Sequence, residues 1–291
     1  MQNIENAEPR YERSTGKMEK NGEVTDILEL IPRNLKSETP LVIMPGWTGT
    51  TETYEPNMKA IAEEGRHVMM ANSEYGNPVS SEDFSDKEKA SEYSVSNLQK
   101  IAVYMEMLKK TGTKKVDVIG YSEGGMNAII AATLYPEKFK NIILVDPSGL
   151  IGENSILDIP INFSKEVVTG AIEWVRTPEG RKMMFDIFKG VAGTVLKHPI
   201  LAYRQMLGNS SAELLEEMKS LRARGIGISV IHGTDDMIFP MEKMQEYVEA
   251  EAVDGFYSVK GSHPDFLFKS NEFTKAAEAA LTALEKKKEK I

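Results

Sequence analysis

The chain has 291 residues, of which 41% are hydrophobic and 27% charged, enough apolar side chains for a sizeable core beneath a well-solvated surface. Its net charge of −9 argues against nucleic acid as a partner, because phosphates are met by clustered basic surface. With no cysteine, it has no disulfide, no thiolate nucleophile and no cysteine metal site.

Residues 1–13 are polar and acidic, without the apolar centre of a signal segment, and no apolar stretch is long enough to span a bilayer. The expectation is a soluble cytoplasmic protein whose first ten residues form a loose tail. Asn21-Gly22 predicts a hairpin turn within 11–31, with 24–31 as the returning strand. A short buried strand at 41–44 runs into Pro45-Gly46-Trp47. A helix over 54–64 and a strand over 67–71 follow, and the serine- and acid-rich 72–90 reads as a surface loop. Apolar residues at Leu98, Ile101, Val103, Met105 and Leu108 predict a helix over 95–110 with one buried side. Then come strand 116–119, helix 124–135 and strand 141–145, ending at Asp146-Pro147.

Strand–helix alternation with unbroken apolar strands predicts an α/β fold, a mostly parallel central sheet flanked by helices. The alternation stops near Gly149. Residues 150–224 carry helical patterns separated by Pro160, Pro178 and Pro199, with a helix start at Thr177-Pro178 and a capping box at Ser210 and Glu213. This segment reads as a helical cap inserted into a core made of 1–149 and 225–291. Alternation resumes with strand 227–231, a helix from 241, strand 255–259 and a helix from 272. In the insertion, Trp174, Met183, Met184, Phe185, Ile187, Phe188, Tyr203, Met206 and Leu207 read first as core, and some as an acyl-binding wall. Nothing basic accompanies this apolar face, which speaks against membrane docking.

The chemistry centres on Gly120-Tyr121-Ser122-Glu123-Gly124, a Gly-x-Ser-x-Gly between a strand and a helix. A turn this sharp strains its central residue, and flanking glycines let strand and helix pass closely. It holds the serine hydroxyl out at the carboxyl end of the sheet, against a helix amino terminus. A serine needs a base, and the base an orienting acid, on loops after later strands. The loop after 227–231 offers Asp235 and Asp236, and the loop after 255–259 offers His263. The order Ser122, Asp236, His263 is that of one hydrolase class. Asp146 is the runner-up acid. His67 reads as a structural residue at a strand start, His198 as a helix-start residue, and His232 as a strand-end packing residue that could reach the site.

These residues resemble the α/β-hydrolase superfamily: the elbow at Gly120 to Gly124, the acid loop with Gly233, Asp236 and Pro240, and the histidine turn Gly261-Ser262-His263. The likeness covers about 40–150 and 225–285. It implies a serine hydrolase acting on carboxylic esters of a small molecule with an apolar acyl group, with Ser122, Asp236 and His263 catalytic. It requires no metal and no organic cofactor. The oxyanion loop, often His-Gly-x in the family, is here Met44-Pro45-Gly46-Trp47; Trp47 can supply the backbone N–H and Pro45 cannot. Trp47 and Glu123 are therefore the expected oxyanion donors. There is no His-Gly-Gly-Gly run, which disfavours the lipase and esterase branch built on it, and serine at 122 argues against the dehalogenase branch. Carbon–carbon hydrolases, perhydrolases, amidases and aminopeptidases would use the same triad, and a non-catalytic binder of the same fold is a further alternative. The Glu123 side chain either lines the pocket, where it would attract a cationic group, or meets a structural partner.

Overall fold

The apolar runs become strands buried on both faces. The computed structural model describes residues 10–20, 23–72, 79–148, 158–197, 214–239 and 241–288. Its strands are β1 (Tyr11–Lys20), β2 (Glu23–Pro32), β3 (Ser37–Met44), β4 (Arg66–Ala71), β5 (Val116–Tyr121), β6 (Phe139–Val145), β7 (Gly227–Gly233) and β8 (Gly255–Val259). They form one sheet in the order β1-β2-β4-β3-β5-β6-β7-β8, antiparallel through β1, β2 and β4 and parallel from β4 to β8. Lys20 pairs with Glu23, the spacing of a two-residue hairpin, although Asn21 and Gly22 lie outside the described residues.

Helices cover both faces: α1 (Thr51–Glu63), α2 (Lys87–Ser91), α3 (Val95–Lys110), α4 (Glu123–Leu134), α5 (Asp158–Trp174), α6 (Pro178–Lys197), α7 (Leu215–Ala223), α8 (Met241–Glu249), α9 (Asp265–Phe268) and α10 (Ser270–Lys288). Strand period two divides the core. Val42, Met44, Val118, Ile142 and Val230 face α3, α4 and α7 through Leu98, Ile101, Ile129 and Met218. Leu41, Ile43, Ile119, Ile143 and Ile231 face the opposite layer, with Tyr54, Met58, Phe266, Phe273 and Leu281. Each such side chain contributes about 1.5–3 kcal/mol by leaving water. Among the described residues no helix is long and apolar enough to cross a membrane.

Two expectations change. The surface loop expected over 72–90 contains a 3-10 turn at Ser81–Asp83 and the helix α2. The polar residues that suggested a loop are caps: Ser80 N–H donates to Asp83 Oδ2 at 2.8 Å, and Lys89 N–H to Asp86 Oδ1 at 2.9 Å. Within 150–224, α6 starts at Pro178 as read, with Gly180 N–H donating to Thr177 Oγ1 at 3.0 Å. The Ser210–Glu213 capping box, His198, Tyr203, Met206 and Leu207 lie outside the described residues. Helix α7, however, buries Met218 and Leu221 in the core beside α4 and so belongs to the layer over the sheet. Trp174 and Met183 are buried as expected, whereas Phe185 and Phe188 are exposed.

The parallel strands all end at one edge. Loops after β3, β5, β6, β7 and β8 therefore converge there, the usual site of chemistry in such a sheet.

Candidate active site

The turn from β5 into α4 is as tight as its glycines suggest. Ser122 has φ 53° and ψ −123°, a conformation that strains any residue with a Cβ. A Cβ on Gly120 would stand 2.6 Å from Gly124 O, and one on Gly124 would stand 1.9 Å from Met44 O. Those glycines let the end of β3 press against the elbow. Neighbouring backbone fixes the turn: Ser122 N–H donates to Val145 O at 2.9 Å, and Ser148 N–H to Ser122 O at 3.1 Å.

Facing the serine, His263 Nε2 lies 3.0 Å from Ser122 Oγ, and His263 Nδ1 lies 2.9 Å from Asp236 Oδ2. The other Asp236 oxygen accepts from the N–H groups of Ile238 and Phe239 at 2.8 and 2.9 Å, which aims the carboxylate at the imidazole. Asp235 is exposed, its amide donating to Gly261 O, so Asp236 is the acid that meets the histidine. The imidazole is held between Tyr121 and Phe239, each with its ring centre 5.1 Å away. Burial opposes charge on His263, but the Asp236 carboxylate, with Asp146 and Glu166 behind it, pushes its pKa up to about 9.

The loop after β3 lies directly alongside. A Cβ on Gly46 would be 3.2 Å from Ser122 Cβ, and Gly46 N–H donates to Tyr54 Oη at 2.8 Å, which pins the loop to α1. Trp47 is the next residue, and Glu123 opens α4. The Glu123 side chain is 2% exposed. It pairs with Lys100 of α3, and both side chains are buried between helix and helix. Of the two roles considered for that side chain, the structural one holds, and attraction of a cationic group by Glu123 is withdrawn.

Three features escaped the sequence reading. Lys100 is one, and its only hint was a lysine on the apolar side of α3. Glu166 of α5 is the second. It is 1% exposed, accepts from Met237 N–H at 2.5 Å beside the acid, and leaves Oε2 buried without a hydrogen bond. Burial, reinforced by Asp236 and opposed by His263, pushes its pKa up to about 7. Its helix also carries Asp158 and Glu173, so the sequence did not single Glu166 out.

The third is a second aspartate–histidine contact. Asp146, the runner-up acid, does not meet His263; its Oδ1 lies 3.0 Å from His232 Nδ1 and accepts from Gly233 N–H at 2.7 Å. Asp146, His232 and Asp236 each place one potential ligand atom within 4.8 Å of the others. They do not suit a metal ion: both Asp236 oxygens are already bound to His263, Ile238 and Phe239, and ligating a cation would cost the His263 contact. His67 plays the structural part expected, its Nε2 3.0 Å from Glu29 Oε2.

Helix α5 closes over this edge. Besides the Glu166 contact, Trp174 Nε1 donates to Asp265 Oδ1 at 3.3 Å and its ring stacks on Phe268 with centres 4.2 Å apart.

Residues 39–164 match the family model described as alpha/beta hydrolase fold. No curated protein matches the sequence. Among solved structures, a carboxylesterase of the Thaumarchaeon Nitrososphaera gargenis is similar over 94% of this chain and 100% of its own, with TM-score 0.62 and 17% identity. A bromoperoxidase from Bacillus anthracis is similar over 92% of this chain and 100% of its own, with TM-score 0.61 and 15% identity. An enol-lactonase from Burkholderia xenovorans LB400 covers the same shares at TM-score 0.59 and 15% identity.

Proposed function

We propose that this chain, a member of the α/β-hydrolase superfamily by its fold and its matched segment, is a serine hydrolase that cleaves carboxylic esters of small molecules through an acyl-enzyme. The observation that carries this reading is the continuous contact from Ser122 Oγ to His263 Nε2 at 3.0 Å and from His263 Nδ1 to Asp236 at 2.9 Å. In the proposed reaction Ser122 attacks the carbonyl carbon while His263 Nε2 takes its proton. Asp236 holds the imidazole tautomer and stabilises the imidazolium. The amides of Trp47 and Glu123 stabilise the oxyanion, helped by the α4 amino terminus. Collapse expels the alcohol with the His263 proton, and His263 then deprotonates water to release the acid. No step draws on a metal or an organic cofactor.

Helices α5 and α6 are proposed as the cap, and the apolar substrate wall as the space between them and the elbow. Helix α7, packed on the sheet, is assigned to the core. Amidase and aminopeptidase readings lose the motive that Glu123 gave them, since that carboxylate is paired with Lys100.

Labelling by a fluorophosphonate, with Ser122→Ala as control, tests the nucleophile. The wild type should label and hydrolyse esters, and the variant should lose labelling and about 10⁴–10⁶-fold in kcat. Labelling that survives Ser122→Ala would refute the assignment. A panel of esters, amides and diketones of varied acyl length then separates ester cleavage from amide and carbon–carbon cleavage.

A further inference from the structure

Helix α5 meets the core at both the acid loop and the histidine turn. One ridge of the helix runs Glu166, Gly170, Trp174, each four residues after the last, which sets the outer two about 12 Å apart along the axis. Glu166 is 1% exposed and Trp174 6%. Gly170 makes the arrangement possible. A Cβ there would stand 2.3 Å from the Trp174 ring, so a glycine lets the indole lie back along the helix. Glycine inside a helix lowers its stability, and here the close approach of the ring requires it.

At the acid loop, three consecutive amides divide between two carboxylates. Ile238 and Phe239 N–H donate to Asp236 Oδ1 at 2.8 and 2.9 Å, whereas Met237 N–H donates to Glu166 Oε1 at 2.5 Å. Glu166 thus takes the one amide that Asp236 leaves over. At the histidine turn, Asp265 Oδ2 accepts from Ser262 N–H and from Lys269 Nζ, both at 2.9 Å, which closes the turn around His263. The other oxygen, Oδ1, accepts from Trp174 Nε1 at 3.3 Å. The two loops also touch each other, Asp235 N–H donating to Gly261 O at 2.8 Å. With α5 they close a circuit of contacts that includes the Asp236–His263 pair.

We propose that α5 sets the spacing of the acid and the base, with Glu166 and Trp174 as positioning residues acting through the Met237 amide and the Asp265 carboxylate. The inference rests on the hydrolase reading and makes the cap helix part of the catalytic scaffold as well as a wall over the substrate. A helix that only covered substrate would need apolar residues on this ridge, not a carboxylate and an indole N–H bonded to the two loops. Its own hydrogen bonds fix its length, which suits it as a spacer. Misplacing a reacting group by about 1 Å costs on the order of 100-fold in rate, so small movements of either loop are readable.

Steady-state kinetics on one ester, per site titrated by fluorophosphonate and on the alkaline plateau of the pH profile, separate these roles. Glu166→Leu removes the acceptor of the Met237 N–H and should lower kcat about 10–100-fold, with KM within about twofold. Glu166→Gln keeps an acceptor and should bring kcat back to within about threefold of the wild type. Trp174→Phe loses the Nε1–H but keeps a ring against Phe268. It should lower kcat about 3–10-fold at constant KM, and it remains readable if Glu166→Leu does not fold. A rise in KM with kcat unchanged would make α5 a substrate wall alone and overturn the proposal. So would a loss of stability with kcat per site unchanged, or a Glu166→Gln as slow as Glu166→Leu.

One measurement needs no turnover. The ¹H resonance of the His263 Nδ1–H held by Asp236, identified by its loss in Asp236→Asn, should stand at low field in the wild type and in Glu166→Gln. It should broaden or vanish in Glu166→Leu and Trp174→Phe. A resonance unchanged in those two variants overturns the proposal whether or not esters are cleaved. Expected resonances in a wild type that neither labels nor cleaves esters would instead refute the hydrolase reading and leave the positioning of His263 by α5 standing.

Discussion

The two edges of the sheet solve the same geometric problem with different residues. At the edge where helices feed into strands, the left-handed turns before β4, β5 and β7 fall on Gly65, Gly112 and Gly225, with φ of 91°, 68° and 83°; Glu251, before β8, is the exception. At the opposite edge the left-handed positions after β3, β5 and β6 are Thr48, Ser122 and Asp146, at 61°, 53° and 42°. Glycine adopts this region at no steric cost, and other residues do so at about 1–3 kcal/mol. Strain is thus confined largely to the edge where a side chain must stand at the turn.

Charge is distributed by the same division. At the helix-to-strand edge, the buried Arg66 guanidinium meets Glu278 at 2.7 Å, Glu285 at 3.2 Å and Asp117 at 3.7 Å. Its fork of donors hydrogen-bonds Glu278 and Glu285, while Asp117 Oδ2 is buried in ion-pair contact without a hydrogen bond. At the reactive edge three acids face two imidazoles, groups whose protons can move near neutral pH. One edge sets its acids against a fixed cation, and the other sets them against imidazoles.

The largest expected effect is at the Arg66 edge. Arg66→Met removes the guanidinium from Glu278, Glu285 and the wholly buried Asp117, leaving Lys140, 3.9 Å from Glu285, as a nearby cation, at a cost of about 3–5 kcal/mol. Denaturant unfolding should show that loss, while kcat of the remaining folded protein on an ester stays as in the wild type. A large fall in kcat with stability intact would mean that the edges are coupled.

A smaller effect is expected at the reactive edge from Glu166→Gln, which keeps an acceptor for Met237 N–H. The Glu166 pKa is about 7 in the folded chain and near 4.5 when free. The folded state therefore binds the extra proton between those values, and its stability falls as pH rises from about 4.5 to 7. Glu166→Gln lacks this loss, so its advantage over the wild type should grow across that window to on the order of 3 kcal/mol by pH 8. Chemical denaturation at pH 5 and pH 8 measures it, and a difference independent of pH would show that Glu166 is ionised throughout.

The same contrast explains what could be read from sequence. Helix 95–110 and strand 255–259 appear with the bounds that apolar spacing gives, because both depend on local period and caps. The approach of Ser122, Asp236 and His263 was legible because strand order sends their loops to one edge. Lys100, Glu166 and the Asp146–His232 contact were not, since each depends on which side chains two distant elements turn toward each other. Lys100 and Glu123 are 23 residues apart, and Glu166 and Met237 are 71 apart. No local pattern encodes such pairs.

The finest test reverses the glycine pattern. Gly112 has φ 68°, and a Cβ there would meet nothing within 4 Å, so Gly112→Ala isolates backbone strain and should cost about 1 kcal/mol. Ser122→Gly should do the opposite. It relieves the strain at φ 53°, offset in part by the extra freedom of glycine in the unfolded chain, for a net gain of about 1 kcal/mol. For a chain of this size that is a rise in Tm of roughly 2–4 °C, readable by calorimetry. Ser122→Ala is the necessary reference: it loses the 3.0 Å contact with His263 but keeps the Cβ. If Ser122→Gly is no more stable than Ser122→Ala, the elbow stores no strain, and the distinction between the two edges reduces to charge.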